Sequence, residues 1–564
     1  MLNKLRINGA QSLCRSLFQN GVRVVFGIPG IHNLALFEAL RRSGIRVVSA
    51  THEQGAAFMA NGYGRATGKP GVFVSVPGPG LTNSLTPIAE ALVDSTPLLG
   101  VVTTVPHSEH RFQMHEIKQS LVAQPIVKSV QTVETASEIA SAVKNMLELT
   151  TSGEPGPCIL QIPSNIFWER LKPEPVNHGT KINPPAPVRG IEEIVSQIRS
   201  AKRVGFFVGL GAADAVNEIR ELAEWLNAPV ATTGSGRGVL DETNPLSLGF
   251  AWKCDSIDSV NRIFATCDLI LAVGVKFSQN GTQDFHLRIE CPLIHVDASS
   301  EVLGKNYKPK IALCMDAREF LTTLLEQRAL FGPRHDKKIL GAIRAEQEIC
   351  DARLQSDTSS QFFIGEETIS PQDFFTTLRR LLPPNAILVT DAGFNERLTI
   401  QNWLVHEPRT LINPCNFESM GFAIPTAIGA ALAQPERKVV AIVGDGGLVM
   451  SGLELMTAVY ENLNLTVIVL NNSGFGIIKR IQQEFFGASV AVDVGAPDFK
   501  ALAESIHLEY QPTTGGISAL EQSVRKNGPV MLEIKMQHQE PNKLEQLKRR
   551  LKNDIKHRLH KFIR

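Results

Sequence analysis

The sequence predicts an α/β protein of three open parallel-sheet domains, followed by a basic C-terminal helix. Three observations carry this expectation. Short apolar, β-branched runs alternate with helix-like stretches along most of the chain, as repeated strand–helix–strand units do. A Pro-rich segment (Pro173, Pro175, Pro184, Pro185, Pro187) and a polar, helix-prone connection over 331–370 divide these units into three regions. The 564 residues also exceed what one hydrophobic core serves.

The first region, 1–170, places strands at Val22–Phe26, Val47–Ser49, Val72–Val76, Leu98–Val102 and Cys158–Ile162. The second, 190–330, places them at Val204–Val208, Leu269–Val273 and Leu293–Val296. The third, 371–537, holds two strongly apolar runs, Val439–Val443 and Leu465–Leu470, with a helical stretch from Leu453 to Asn462 between them. Residues 541–564 differ in kind: nine Lys/Arg face two acids, giving about +7 against about −6 for the rest. Leu544, Leu547, Leu551, Ile555, Leu559 and Phe562 recur there at helical spacing, an apolar stripe on a basic helix. Such a helix suits a peripheral membrane or an acidic carrier protein, or packs on its own protein.

Composition narrows the function classes. A net charge of +1 with 20% charged residues carries no signature for nucleic acid. Apolar runs fall well short of the roughly 20 residues that cross a bilayer. The eight cysteines are scattered without a CxxC, which points to a reduced compartment. An amphipathic segment (Ala10 to Asn20) and a strand follow the N-terminus closely, leaving little room for a presequence. A cytoplasmic α/β protein is expected.

The most specific motif is Gly444-Asp445-Gly446, followed after 24 residues by Asn471-Asn472. It sets a carboxylate at one strand end, glycines that admit a ligand to the backbone, and a carboxamide at the next strand end, the edge where open α/β sheets bind ligands. Asp445, the Asn472 side-chain oxygen and a nearby carbonyl offer three hard oxygen ligands, a set that suits Mg²⁺. The amides of Gly446 and Gly447, opening a helix, suit phosphates.

This pattern resembles the cofactor motif of the thiamine diphosphate-dependent enzymes. The resemblance extends over nearly the whole chain, in the order pyrimidine-binding, central Rossmann-like and diphosphate-binding domain. It is nearest the branch that includes acetolactate synthase, benzaldehyde lyase and 2-oxo acid decarboxylases. Gly27-Ile28-Pro29-Gly30, His52-Glu53-Gln54-Gly55, Gly62-Tyr63-Gly64-Arg65 and Pro77-Gly78-Pro79-Gly80 stand where that branch has its own versions. The resemblance implies that Gly474 supplies the third metal ligand, through its carbonyl. Glu53 would be the activating glutamate, bonded to the cofactor's pyrimidine ring in a dry site. Met420 would be the apolar wedge between the cofactor rings, with the Glu418 carbonyl accepting the ring amino group. Asn395, Gly476 and Ile477 would add cofactor contacts. In the family Glu53 serves a cofactor held by another subunit, so a homodimer is the minimum unit and a homotetramer is expected.

The implied reaction decarboxylates a 2-oxo acid and transfers the acyl-anion equivalent to a second carbonyl; protonating it instead would make a plain decarboxylase. The residues that decide between these outcomes depart from the relatives. Phe112-Gln113 resembles the Phe-Gln pair of acetolactate synthase, making Gln113 a candidate beside the reacting carbon. Ile31-His32 instead resembles benzaldehyde lyase, where a His here transfers protons; a structural histidine is the alternative. His115-Glu116 resembles a His-Glu pair of some decarboxylases, slightly out of register. His52 either shapes the strand end or reaches the site. The synthase's second-substrate tryptophan and a first-domain lysine are replaced by Ile481 and Ser164. The sequence also disfavours FAD: the stretch corresponding to the synthase's Gly-Ala-Arg-Phe-Asp-Asp is Gly274-Val275-Lys276-Phe277-Ser278-Gln279, with both acids gone.

Overall fold

The computed structural model describes residues 7–106, 112–171, 190–357 and 359–538. Three sheets follow one another along the chain. The first contains β1 (Val24–Gly27), β2 (Arg46–Ser49), β3 (Gly71–Ser75), β4 (Leu98–Thr104), β5 (Ser129–Thr132) and β6 (Pro157–Pro163), in the order β2-β1-β3-β4-β6-β5. Every pairing is parallel. The central sheet is also all parallel. It contains β7 (Val204–Val208), β8 (Val230–Thr232), β9 (Ser247–Phe250), β10 (Leu269–Val273), β11 (Leu293–Asp297) and β12 (Ile311–Cys314), ordered β12-β11-β10-β7-β8-β9.

The third sheet is mixed. A parallel core of β15 (Ile387–Thr390), β16 (Leu411–Ile412), β17 (Val439–Gly444), β18 (Leu465–Asn471) and β20 (Val530–His538) is flanked by the antiparallel pair β13 (Ser360–Ile364) and β14 (Glu367–Ile369), while β19 (Glu509–Gln511) pairs with β20. The hairpin corrects the reading of 331–370 as a polar helix-prone connection. A helix does occupy Lys337–Ser356, but the residues after it alternate inward and outward as strands and add an edge to the third sheet. The basic segment 541–564 lies outside the described residues.

Helix α1 (Glu53–Thr67), from the first sheet's region, and α2 (Ala423–Ala433), from the third, pack directly on each other. Gly62 and Gly429 permit this: a Cβ on Gly62 would overlap the Thr426 carbonyl oxygen, and one on Gly429 would overlap that of Met59. The two regions therefore share one core, in which Phe58, Ala60 and Phe73 meet Phe422, Ile428 and Val443. That shared core fixes the carboxyl ends of the two sheets relative to each other, and the candidate site is built on those ends.

Candidate active site

At the first sheet, the chain leaves β1 through Ile28-Pro29-Gly30 into a 3₁₀ turn, Ile31–Asn33. The buried Asn33 carboxamide shapes this exit, accepting from Gly30 N–H at 2.7 Å and donating to the Ile28 carbonyl at 3.3 Å. Beyond β3, Gly78 adopts φ +61° and donates its N–H to Gln119 Oε1 at 2.7 Å, while Gln119 Nε2 donates to the Thr103 carbonyl at 3.2 Å. The 112–118 loop lies on this turn, and a Cβ at Gly78 would sit 2.7 Å from the His115 carbonyl oxygen.

The loop brings His115 to His32, their ring centroids 5.3 Å apart. His32 Nε2 and His115 Nδ1 are both buried without a hydrogen-bond partner. Burial, reinforced by His115, holds the His32 imidazole below its ordinary pKa. Gln113 turns inward to its own loop: Nε2 donates to the Pro106 carbonyl at 3.2 Å, and its backbone N–H to Glu116 Oε2 at 3.1 Å. Phe112, in contrast, is almost fully exposed.

Glu53 opens α1 and is half-buried; its Oε2 accepts from Asn83 Nδ2 at 3.0 Å. His52 is the helix N-cap, its Nδ1 accepting from Gln54 N–H at 3.1 Å, so it serves the end of α1.

The second group gathers at the carboxyl ends of β17 and β18. Asp445 opens α3 (Asp445–Ser451) and is buried, with Oδ2 unpartnered. Burial raises its pKa, opposed by the N–H groups of Asn472 and Gly474. One terminal atom of the Asn472 carboxamide lies 2.8 Å from the Gly474 carbonyl oxygen and 3.1 Å from Asp445 Oδ1. Placed there as nitrogen it donates to both; placed as oxygen it makes three acceptors converge, the arrangement a hard divalent cation takes. The orphaned Asp445 oxygen and this all-oxygen cluster fit Mg²⁺.

Glycines keep the approach open. A Cβ on Gly446 would stand 2.8 Å from the Phe475 ring and 3.5 Å from Met420 Cε, and one on Gly447 would stand 2.8 Å from Asp391 Oδ2. Gly476 opens α4 (Gly476–Phe486) directly against the Asn472 amide, with Ile477 half-buried behind it.

Asn395 spends its donors on the strand ends, reaching the Asp391 carbonyl at 2.7 Å and Thr390 Oγ1 at 3.2 Å. Its Oδ1 faces Gly393 and Gly444. Glu418 takes a left-handed backbone (φ +58°), and Asn280 of the central region donates to its Oε1 at 3.3 Å.

The sequence reading missed the supports. Asp391 is fully buried and accepts from the N–H groups of Gly421 and Ala423 at 3.0 and 3.3 Å, which holds the Met420 turn and caps α2; burial pushes its carboxyl up to about 7. Arg65 binds Glu90 and Asp94 at 3.0 and 3.1 Å, Asn61 Oδ1 at 2.7 Å and the Asn413 carbonyl at 2.8 Å. Ser419 Oγ donates to Glu90 at 2.5 Å, so this buried ionic cluster braces the Glu418–Met420 segment from the first region. Asp391, directly after an apolar run and before Ala-Gly, had a strand-end signal; Glu90 and Asp94, distant in sequence from Ser419 and Asn416, had none.

His32, His115, Gln113 and Glu53 thus lie on the first sheet's edge, and Asp445, Asn472, Gly474, Gly446, Gly447, Met420 and Asn395 on the third's. Among the described residues the Glu53 side chain bonds to no member of the second group.

Three thiamine pyrophosphate enzyme family models match in chain order: the N-terminal TPP binding domain over 7–125, the central domain over 191–324 and the C-terminal TPP binding domain over 391–534. Relatives match along the whole length. The chain is 30% identical over 552 residues to the acetolactate synthase isozyme 1 large subunit of Escherichia coli (strain K12), covering 95% of each. It is 31% identical over 570 residues to an acetolactate synthase of Arthrospira platensis, again covering 95% of each. A probable acetolactate synthase large subunit of Methanocaldococcus jannaschii is 29% identical over 558 residues, covering 94% of this chain and 92% of that one. With its three domain models in order and acetolactate synthases matched from end to end, the chain belongs to the thiamine pyrophosphate-dependent enzymes of the acetolactate synthase type.

Proposed function

We propose that this enzyme uses thiamine diphosphate and Mg²⁺ to decarboxylate a 2-oxo acid and transfer the acyl-anion equivalent to a second carbonyl. The observation that carries the proposal is the convergence of Asp445 Oδ1, the Asn472 carboxamide and the Gly474 carbonyl, with the other Asp445 oxygen buried and unpartnered beside them, at a helix start lined by Gly446 and Gly447. Thiamine diphosphate, when bound, supplies a carbon nucleophile and an electron sink that side chains lack.

The chain's own residues do the rest. Asp445, Asn472 and Gly474 hold the metal; the amides of Gly446, Gly447, Gly476 and Ile477 receive the diphosphate. Asn395 positions the ends of β15 and β17 beneath it. Met420, its turn held by Asp391, and the Glu418 carbonyl would hold the cofactor's rings. Glu53 holds a proton at the pyrimidine nitrogen, and Asn83 orients its carboxylate. His32 and His115 stand together toward the reacting carbonyls, and Gln113 would join them by releasing the Pro106 carbonyl.

Glu53 acts across a homodimer interface, and two dimers pair as a homotetramer. In support, Glu53 bonds to none of the Asp445 group in its own chain, and Val449, Met450, Leu453 and Met456, following Asp445, are exposed apolar residues on one short segment. We place the enzyme in the cytoplasm; its cysteines are all free thiols, and no helix among the described residues is long and apolar enough to cross a membrane. We assign no step to FAD. The basic side chains lining the crevice between the central and outer regions are engaged: Lys276 with Glu154 and the Val93 carbonyl, Arg409 with Asp214, and Arg65 with Glu90 and Asp94.

The His32–His115 pair, its rings tilted against each other, favours a second reading, a non-ligating decarboxylase or hydroxyketone lyase, because it places proton-transfer groups beside the first-sheet edge. The test is turnover of a 2-oxo acid panel with Mg²⁺ and thiamine diphosphate, with CO₂ and products followed by mass spectrometry. Pyruvate giving acetolactate is the expected result. CO₂ with free aldehyde selects the second reading, and no CO₂ from any acid overturns decarboxylation.

A further inference from the structure

Glu454 has no part in the roles above. It closes the 3₁₀ turn Gly452–Glu454, which follows α3 directly with a single non-helical backbone step at Ser451 (φ −138°). It is 3% exposed, and its carboxylate reaches out of its own region to the residues just before Glu53. Oε1 accepts from the Thr51 backbone N–H at 2.5 Å and from the Thr51 hydroxyl, and the His52 N–H also faces the carboxylate. Oε2 is buried without a partner and lies against Gly55 in the first turn of α1, where a Cβ would come 2.5 Å from Glu454 Cδ.

Among the described residues no cationic side chain pairs with Glu454. A buried carboxylate without a counter-ion is costly. Here the positive end of α1 and the Thr51 donors offset that cost, so the carboxylate and the N-terminus of α1 depend on each other.

We propose that Glu454 is a positioning residue for Glu53, fastening the start of α1 to the helix that begins at Asp445, so that loading the Asp445–Asn472–Gly474 site fixes the glutamate that serves the partner's site. The proposal rests on the cofactor reading of Asp445 and Glu53 given above. Asp445 and Glu454 are nine residues apart and Thr51 and Glu53 two, and helical or 3₁₀ segments follow one another directly from Asp445 to Glu454.

Two variants perturb the connection differently. Glu454→Gln keeps the volume but puts an amide against Gly55 and the positive helix end. Gly55→Ala favours the helix itself, yet its Cβ displaces the Glu454 carboxylate. Calorimetric titration of thiamine diphosphate with Mg²⁺ into the wild type, both variants, Glu53→Gln and the Glu53→Gln/Glu454→Gln double variant tests the proposal.

Each of Glu454→Gln and Gly55→Ala should weaken cofactor binding roughly tenfold, and the double variant should bind no worse than Glu53→Gln alone, because residues acting as a unit are not additive. A roughly hundredfold, additive loss in the double variant overturns the proposal, as does unchanged binding in both single variants. A wild type that takes up no thiamine diphosphate overturns the cofactor reading itself and this proposal with it; that failure shows before any variant is made.

Discussion

Asp445 Oδ1 and the side-chain amide of Asn472 lie 3.1 Å apart, brought together by the parallel pairing of β17 with β18, whose register sets Gly444 opposite Leu470. Because the strands are parallel and adjacent, their carboxyl ends finish side by side, and a carboxylate and a carboxamide separated by a whole helix share one site. Replacing Asp445 by Asn removes the only acidic ligand of the cluster. Mg²⁺-supported thiamine diphosphate affinity should fall roughly 100-fold, about 2.7 kcal/mol. Equilibrium dialysis against the cofactor, with and without Mg²⁺, reads this directly.

The close approach of α1 and α2 leads to a second expectation. Gly62→Ala and Gly429→Ala each drive a methyl group into a backbone carbonyl of the facing helix, which no side-chain rotation relieves. Each should destabilise the protein by about 1–3 kcal/mol. The readout is the urea-unfolding midpoint, with a loss of cofactor affinity accompanying it because α1 begins at Glu53 and α2 follows directly on the Met420 turn.

Arg65 is the one cation in a buried cluster with Glu90 and Asp94. Burial raises the Glu90 pKa and Arg65 pulls it down. Arg65→Met leaves two carboxylates without a counter-charge, and a loss of about 3–5 kcal/mol is expected in chemical denaturation. Through Ser419 the Met420 turn should loosen as well, so this variant should lose cofactor affinity beyond its loss of stability.

Asp297, at the end of β11, is pushed up to about 6 by burial, with Glu154 adding to the rise. Its folded pKa exceeds the unfolded one, so the folded protein binds the extra proton between the two. Stability attributable to this group is therefore present below about pH 4 and is lost as pH rises through about 6. Asp297→Asn keeps the acceptor for the Ser299 N–H and removes the titration. It should be more stable than the wild type at pH 8, by about 1–3 kcal/mol, and equal to it at pH 4. Thermal unfolding at the two pH values checks the sign.

The site was more legible than its supports. Gly444-Asp445-Gly446 and Asn471-Asn472 could be read because each adjoins a continuous apolar run, and a strand buried on both faces is unmistakable in sequence. The central sheet was half legible: β7, β10 and β11 are such runs, whereas β8, β9 and β12 span only three or four residues and carry no comparable signal. The β13–β14 hairpin escaped because β14 is three residues long with its first two exposed and polar, and β13 alternates buried with half-buried positions, so neither makes a continuous apolar run. Asp391, Glu454 and the Arg65 cluster act through partners far away in the chain, and no local pattern encodes a contact such as that of Ser419 with Glu90.

In the proposed homodimer each active site joins Glu53 of one chain to Asp445 of the other. Mixing Glu53→Gln protein with Asp445→Asn protein, after dissociation and reassociation, tests it most directly. A mixed dimer would carry one site with both residues intact and one with neither. At equal mixing, activity should rise from near zero to about a quarter of the wild-type value, because about half of randomly formed dimers are mixed and each holds one working site. A mixture that stays as inactive as its parents, with subunit exchange confirmed by mass spectrometry, would place Glu53 and Asp445 of a single chain in the same site and overturn the shared one.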